Sequence, residues 1–463
     1  MSESLTHRLS RFICHEGDEL APPVTHEALR AILDTLAVTL AGGKDEAVRC
    51  LEASLDAGVG ACPSPWSGQR YGSFDAAMLY GMASHMDDYD DVSMLAICHP
   101  SAPVLSALVA AELSGSDGGP TSGRDFVTAF SVGTEVTIRL GQAMGFRHYE
   151  LGFHATATLG VVGVAAAVAR RARLDQATTR QALAIAASMA SGIRKNFGSP
   201  VKPLHVGLAA AAGLRAVRMA RAGVTAASEA FEHGGYLRAY SGGETDTFPA
   251  SGLDFGRPFV LGQPGFEQKR YACCYMLHKT IEAALALRRE GRLTLADVAR
   301  AHVNFVPGAT KPLIHPRPRT GLHGKFSAPY AVLASLADGR IDLASFTDAA
   351  VLRPELQSRL GDMQVVEEGP QPPPGADLGR MPLTLTLTLR DGRTLTHTVH
   401  ASPGSPEDPL TLAQLREKWV DCLVFAKPAL DAQGAGAWFD QGLALDRADS
   451  VRPWLARIFA AAA

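Results

Sequence analysis

The sequence predicts a mainly α-helical protein, in which N- and C-terminal segments form a large all-helical domain and a smaller α+β domain with an antiparallel sheet lies between them in the chain. Segments rich in Ala, Gly and Leu recur at helical spacing up to about residue 265. Strand patterns follow, and helical spacing returns at Leu410–Val424 and Val451–Ala463. We therefore divide the chain into helical residues 1–265, α+β residues 266–404 and C-terminal helices 405–463.

The first segment has the pattern of closely packed helices. Thr25 is a suitable N-cap for a helix through residues 28–36, which ends at Gly42-Gly43. Apolar runs of small residues at 76–83 and 104–111 predict two buried helices. The abundance of Ala and Gly on helix faces predicts close helix–helix approach. Further helices are predicted at Phe126–Gly141 after Ser122, at Leu159–Ala169, at Ala177–Ala190 after Asp175, and from His205 to Ala222.

The strand pattern is clearest in a hairpin near the end of the second segment. Leu and Thr alternate strictly over Leu383–Leu389, and a return strand follows at Thr394–Val399. Asp391-Gly392 between them strongly favours a hairpin turn. Val298–Val306, which ends at Pro307-Gly308, has the pattern of another strand. Leu on one face and Thr on the other predict an antiparallel sheet with one face on a core and the other in water.

Composition argues against several classes of function. The chain has 463 residues, of which 46% are hydrophobic and 20% are charged, as is typical of a globular protein of two or three domains. Its 44 Lys and Arg residues nearly balance 47 Asp and Glu residues, and it has no basic block. These features argue against nucleic acid or an anionic membrane as the main partner. Local positive charge is instead expected to meet a small anionic ligand.

The sequence has no pattern of secretion or of a membrane span. The longest apolar run, residues 159–169, is shorter than the ~20 residues that cross a bilayer. The N-terminus has no apolar signal-peptide core after a basic start, so we expect a cytoplasmic location. Seven scattered cysteines favour reduced thiols over a disulfide framework, and none has the CxxC spacing of a zinc site.

The densest group of titratable side chains lies between the two predicted buried helices. The stretch His85–Asp91 contains one histidine and four aspartates, and His99–Pro103 follows eight residues later. A charged loop between buried helices is typical of a functional site. A divalent metal would also bind acids of this kind, but they form a run without a recognisable ligand spacing, so we predict no metal. Taken singly, Asp87, Asp90 and Asp91 are expected to be solvated or capping carboxylates.

Four further patches carry residues suited to chemistry. The patch Arg194–Gly207 places Lys202 and His205 at a predicted helix start, where free backbone N–H groups and the helix dipole favour the binding of anions. His205 is equally suited to cap that helix, Lys202 taken alone is an ordinary surface lysine, and Tyr330 an ordinary core aromatic. The patches are His148–Thr156, Arg194–Gly207, Lys269–His278 and Lys325–Tyr330.

Taken in chain order, these motifs resemble those of the MmgE/PrpD family, which contains 2-methylcitrate dehydratase, cis-aconitate decarboxylase and iminodisuccinate epimerase. The resemblance covers most of the chain. It implies a large helical domain, a smaller α+β lid, a homodimer, and an active site between domain and lid that uses neither a metal nor an organic cofactor. The motifs are His85–Asp91, His99–Pro103, Gly152–His154, Asn196–Gly198 with Lys202–Gly207, Tyr271–Cys274 with His278, and Lys325–Ser327.

The resemblance also implies which residues form the active site. It places there Asp88, His99, His154, Lys202, His278 and Tyr330. A substrate with two or three carboxylates needs cationic partners, and proton abstraction next to a carboxylate needs a base with a pKa near the working pH, such as histidine at ~6.5. We predict Asp88, His99, His154, His278 and Tyr330 as catalytic residues and Lys202, His205 and Lys269 as substrate-binding residues. Lys269 is equally consistent with a surface charge.

Three kinds of function agree with such a site. The leading one is a cofactor-free lyase that dehydrates or decarboxylates a small di- or tricarboxylate through an enolate-like state. The second is an epimerase or isomerase of a dicarboxylate such as iminodisuccinate, and the third is a non-catalytic carboxylate-binding protein. His99–Pro103 differs from the His-Pro-Ser-Asp-Asn motif of dedicated methylcitrate dehydratases, and further departures from the family pattern at Val92, Ala155 and Leu208 would reshape the substrate pocket.

Overall fold

The computed structural model describes residues 4–16, 20–115, 119–245, 254–373 and 378–460. The contacts within the chain divide it into two compact units. The first unit comprises Met1–Met86, Asp90–Glu267 and Thr411–Ala463, and the second comprises Asp87–Tyr89 and Gln268–Leu410. Within the described ranges, no helix combines the length and the apolar character that crossing a membrane requires.

Helices account for most of the regular structure, so the predicted fold class, mainly α with a smaller sheet-containing part, is confirmed. The α-helices of the described residues are α1 (Leu5–Arg11), α2 (Pro22–Gly42), α3 (Glu46–Ala53), α4 (Ser73–Met86), α5 (Ser101–Ser114), α6 (Gly123–Glu150), α7 (Ala155–Arg171), α8 (Gln176–Ser188), α9 (Val201–Arg221), α10 (Tyr236–Tyr240), α11 (His278–Gly291), α12 (Gly321–Gly324), α13 (Ala328–Asp338), α14 (Asp348–Val351), α15 (Pro354–Gln357), α16 (Leu412–Ala426), α17 (Ala432–Gly442) and α18 (Arg452–Ile458). The strands are β1 (Cys62–Pro63), β2 (Arg70–Tyr71), β3 (Val298–Phe305), β4 (Met363–Glu367), β5 (Leu383–Leu389) and β6 (Thr394–Val399).

Glycines allow the helices of the first unit to pack closely. A Cβ atom on Gly207 of α9 would lie 2.2 Å from the carbonyl oxygen of Met78 in α4. A Cβ atom on Gly163 of α7 would lie 2.6 Å from the carbonyl oxygen of Gly133 in α6. Neither position has room for a side chain unless the helices separate. The predicted close approach of Ala- and Gly-rich faces is therefore confirmed.

Helices begin where the sequence predicts when a polar side chain caps them. The hydroxyl of Ser122 accepts a hydrogen bond from the N–H of Asp125 at the start of α6. The carboxylate of Asp175 accepts one from the N–H of Thr178 at the start of α8, at 2.9 Å. Both side chains satisfy backbone donors that have no partner within the helix.

Prolines move two predicted helix starts toward the N-terminus. Helix α2 begins at Pro22 rather than after Thr25, because proline in the first turn needs no N–H partner and already has a helical φ. Helix α9 begins at Val201 rather than at His205, and Pro203 lies in its first turn for the same reason. As a result, His205 lies in the second turn of α9 and does not cap the helix.

The second unit contains a four-stranded sheet in the order β4-β3-β5-β6. The predicted hairpin is confirmed: β5 and β6 pair antiparallel, and Leu387 of the inner face is fully buried. Threonines pair across the outer face, where the hydroxyls of Thr384 and Thr398 lie 2.9 Å apart. The sheet is mixed rather than antiparallel, because β4 joins β3 in the parallel direction after the connection that carries α12–α15.

The C-terminal helices belong to the first unit. Helix α16 packs on α2, where the ammonium of Lys418 lies 2.6 Å from the carboxylate of Asp34 and both side chains are buried. Helix α18 covers part of the helix predicted at Val451–Ala463, whose residues 461–463 lie outside the described residues.

Candidate active site

Three titratable side chains of the first unit meet at the end of α4. His85 lies in the last turn of α4, and Asp90 and His99 lie on the connection to α5. The two carboxylate oxygens of Asp90 lie 2.9 and 3.0 Å from Nδ1 of His85. Its Oδ2 also lies 3.3 Å from Nδ1 of His99, a close charge contact. The buried carboxylate of Asp90 therefore contacts the imidazoles of both His85 and His99.

The charge state of this group follows from its burial. Removal from water lowers the pKa of His85 to about 3. Burial by itself would raise the pKa of Asp90, but the adjacent imidazoles lower it below its ordinary value. Asp90 is then an anion that only accepts hydrogen bonds, and neutral His85 donates to it from Nδ1. Nε2 of His85 is buried and has no hydrogen-bond partner among the described residues.

Backbone contacts hold the loop that carries His99. The N–H of His99 donates to the hydroxyl of Thr156 in α7 at 3.1 Å. The N–H of Ser101 donates to the carboxyl group of Asp91 at 3.3 Å, where α5 begins. Asp91 is fully buried, and burial raises its pKa well above the ordinary value. The expectation that Asp90 and Asp91 are solvated or capping carboxylates is therefore wrong for Asp90, which is buried between imidazoles. Asp91 is not solvated either, although its carboxyl group does accept the first N–H of α5.

A second pair of histidines lies on α7 and α9. His154 is the residue that precedes α7, and its Nδ1 lies 3.1 Å from Nδ1 of His205. Both residues are buried. The centroid of the His154 ring lies 6.0 Å from that of His85, so the two groups of histidines adjoin. Burial lowers the pKa of His154 well below the ordinary value and also lowers the pKa of His205.

Lys202 provides positive charge beside these histidines. It is the second residue of α9 and is 9% exposed. Its ammonium lies 5.4 Å from the centroid of the Phe197 ring, whose face it approaches. The same ring meets His154 edge-on at 4.9 Å. Burial is the largest cause of the lowered pKa of His85 and of His154, and the positive charge of Lys202 lowers both values further.

The second unit contains Asp87 and Asp88 of the same sequence motif, and each of them pairs with a buried lysine of that unit. The ammonium of Lys269 lies 3.1 Å from a carboxylate oxygen of Asp88 and donates to its backbone carbonyl at 2.8 Å. Lys325 binds Asp87 in the same way, at 2.6 and 3.0 Å. Asp88 has a φ of 51°, a backbone conformation that few residues other than glycine adopt. Lys269 is 1% exposed, so its interpretation as a surface charge is wrong.

Two predicted catalytic residues lie in the interior of the second unit. His278 begins α11 and is fully buried, with its ring 5.4 Å from that of Tyr271 and 5.2 Å from that of Tyr275. Tyr330 is fully buried in α13, and its hydroxyl donates to the carbonyl of Ser345. Burial raises the pKa of Tyr330 to about 12. The single hydroxyl hydrogen of Tyr330 is therefore bonded within the second unit, which argues against Tyr330 as a proton donor to a substrate.

The structure thus brings together His99, His154, Lys202 and His205 in the first unit and Asp88 with Lys269 in the second. The sequence prediction omitted His85 and Asp90, although both lie in the motif His85–Asp91. The sequence feature that could have indicated this pair is the spacing of five residues between His85, at a helix end, and Asp90, in the following loop. It indicates a pair only when the loop turns back on the helix, and the sequence does not specify that turn.

Comparison with known proteins identifies the family. The profile of the MmgE/PrpD N-terminal domain matches residues 7–249, and that of the MmgE/PrpD C-terminal domain matches residues 271–433. The chain belongs to the MmgE/PrpD family and is an enzyme of that type. Cis-aconitate decarboxylase of Mus musculus is 31% identical over 354 residues, which cover 74% of this chain and 70% of that protein. Cis-aconitate decarboxylase of Homo sapiens is 29% identical over 350 residues, 74% and 71% of the two chains, and that of Aspergillus terreus is 27% identical over 477 residues, 96% and 94% of the two chains.

Proposed function

We propose that the protein is a lyase that decarboxylates a small tricarboxylate, with cis-aconitate as the first candidate, by acid/base chemistry of its own side chains and without a metal or an organic cofactor. The observation that carries this proposal is the group of four adjoining histidines, of which His85 and His99 contact ionised Asp90 and His154 pairs with His205, with the ammonium of Lys202 beside them. The similarity to three cis-aconitate decarboxylases supports the choice of substrate.

The chemistry of decarboxylation explains why such a cluster is useful. When CO₂ leaves, the electron pair of the broken C–C bond stays on the organic fragment, which must be stabilised and must then take up a proton. A nearby cation stabilises the developing charge, most effectively where water is excluded. A histidine can deliver the proton, since its ordinary pKa is near neutral pH.

We assign roles by position and charge. Lys202 binds a carboxylate at the start of α9, where the helix dipole adds to its own charge. His99 is a second acid/base group, because the carboxylate of Asp90 lies at its Nδ1 and leaves its Nε2 for proton transfer. His154 delivers the proton to carbon. It is neutral in the free protein, and the negative charge of a bound polycarboxylate favours its imidazolium form.

The test is proton NMR of the EDTA-treated protein in D₂O with cis-aconitate, 2-methylcitrate, citrate and iminodisuccinate supplied separately. We expect CO₂ loss from cis-aconitate and one deuterium on carbon in the product. Loss of water from 2-methylcitrate would show a dehydratase instead. Deuterium exchange into iminodisuccinate, without loss of CO₂ or water, would show an epimerase. Activity that EDTA removes and Mg²⁺ or Zn²⁺ restores would contradict the cofactor-free mechanism. Dimerisation and cytoplasmic location stay predictions.

A further inference from the structure

The contact between His154 and His205 joins two imidazoles through the same kind of nitrogen. Nδ1 of one ring lies 3.1 Å from Nδ1 of the other, within hydrogen-bond distance. A neutral imidazole carries hydrogen on only one of its two nitrogens. One of the two Nδ1 atoms must therefore carry the hydrogen and the other must accept it. The contact consequently couples the tautomers of the two rings.

The surroundings of the pair keep both rings in place. The backbone N–H of His154 donates to the carbonyl of Gly192 at 3.0 Å. The ring of His205 packs on the same glycine, since a Cβ atom there would lie 3.4 Å from its Cγ. Gly192 has a φ of 119°, which favours glycine. The ring of Phe197 closes another side of His154. This packing favours a single orientation of the two rings.

We propose that His205 is a positioning residue that accepts a hydrogen bond from Nδ1–H of His154 and thereby makes Nε2 of His154 the nitrogen that takes up and delivers the catalytic proton. This inference rests on the proposed function, because it specifies how His154 acts in that reaction. It replaces the predicted role of His205 as a carboxylate-binding residue.

The direction of the hydrogen bond follows from the two states that His154 must adopt. As an imidazolium it carries hydrogen on both nitrogens, so its Nδ1 requires an acceptor. If His205 donated instead, protonation of His154 would place two N–H groups against each other. When His154 acts, its Nε2–H bond breaks and a C–H bond forms on the substrate. His154 returns to the neutral form with its Nδ1–H bond to His205 intact.

Ring ¹⁵N–¹H NMR of the substrate-free, histidine-labelled protein at neutral pH tests the tautomer directly. His154→Gln identifies the signals of His154 by their loss. We expect hydrogen on Nδ1 of His154 and none on its Nε2. Hydrogen on Nε2 with a bare Nδ1 would overturn the inference. This measurement needs no turnover, so its result is separate from the success or failure of the proposed reaction.

Variants of His205 provide a second test with cis-aconitate as substrate. His205→Phe keeps a ring but removes the acceptor, and we expect kcat to fall roughly tenfold or more, a part of what general acid catalysis contributes. His205→Asn places an amide oxygen near the position of Nδ1 and should recover most of the loss. His148→Phe is the matched control, since His148 is buried with both nitrogens bonded elsewhere, to the Tyr240 carbonyl and the Thr158 hydroxyl.

The pH profile distinguishes positioning from a general loss of structure. Without its acceptor the imidazolium of His154 is less stable, so the pH above which kcat declines should move down in His205→Phe. Among the residues that the structure describes, the charged or titratable groups that act on His154 are His85, His99, Lys202 and His205, and only His205 changes in this variant. An unshifted profile, or equal losses in His205→Phe, His205→Asn and His148→Phe, would contradict the positioning role.

Discussion

Asp90 accepts the Nδ1–H of His85 with both carboxylate oxygens, at 2.9 and 3.0 Å, and neither side chain is exposed to solvent. A buried carboxylate is costly unless neighbouring donors compensate the loss of water. His85 supplies such a donor and therefore keeps Asp90 ionised at the point where His99 also approaches it. The role of His85 in this arrangement is to stabilise the anion that orients a second histidine.

Asp90→Asn should reduce kcat with cis-aconitate roughly 10²- to 10⁴-fold, because a neutral amide removes the negative charge beside Nδ1 of His99 and no longer selects the tautomer of that ring. Steady-state kinetics with the purified variant measure the effect. Asp56→Asn changes an exposed carboxylate and is the control. A variant at position 90 that retained wild-type kcat would contradict the role of the carboxylate.

Stability should fall as the solution becomes acidic, well before ordinary carboxylates are protonated. Burial lowers the pKa of His85 from 6.5 to about 3 in the folded protein. Between pH 6.5 and about pH 3 the unfolded chain binds a proton that the folded chain does not. The free energy of unfolding therefore increases with pH in this range and decreases as the solution becomes more acidic. Each such histidine contributes about 1.4 kcal/mol per pH unit in this window. His154, whose pKa is also lowered by burial, contributes in the same direction.

Urea unfolding of the wild type and of His85→Asn between pH 7 and pH 4 would measure this slope. The variant should be less stable at pH 7 and should show a smaller decrease toward acid. His26→Asn, a change at an exposed histidine of α2, should leave the slope unaltered. Equal slopes in the wild type and in the variant at position 85 would show that His85 is not held neutral by the fold.

Lys202→Met should raise KM for cis-aconitate about tenfold or more while the protein stays folded. The substitution keeps the apolar stem and removes only the charge that we assign to a substrate carboxylate, and a charge-assisted hydrogen bond contributes roughly 1.5–3 kcal/mol. Lys195→Met, in the loop before α9 and exposed, is the matched control. Steady-state kinetics measure KM in both variants, and circular dichroism shows whether they are folded. An unchanged KM in Lys202→Met would refute the assignment.

The pair of Asp88 and Lys269 should stabilise the second unit. Both side chains are nearly inaccessible to solvent, at 8% and 2% exposure, so removing either charge leaves the other buried without its main partner. We expect Lys269→Met and Asp88→Asn each to lower the free energy of unfolding by about 3–5 kcal/mol. The double variant should lose less than the sum of the two losses. Strictly additive losses in urea unfolding would show that the two residues act independently.

Much of the secondary structure was predictable because alternation, turn residues and helix caps depend only on residues that are close together in the sequence. Alternating Leu and Thr specified the hairpin of β5 and β6, and polar caps marked the starts of α6 and α8. The parallel pairing of β4 was not predictable in this way, since it joins residues about 60 positions apart in the chain, such as Ala301 and Met363. The early start of α9 came from its prolines, which permit a helix start without a polar cap.

The sequence by itself determined the family and the helical character, and its motifs contain the histidines and the lysine to which we assign the proposed chemistry, because residue types and their order are enough to recognise such motifs. Only the tertiary structure decided which of these side chains touch. It placed Asp90 between His85 and His99, turned Nδ1 of His154 toward His205, and buried Tyr330 with its hydroxyl on Ser345. Such pairings depend on how helices far apart in sequence pack, and that packing is set by the whole core rather than by any local segment.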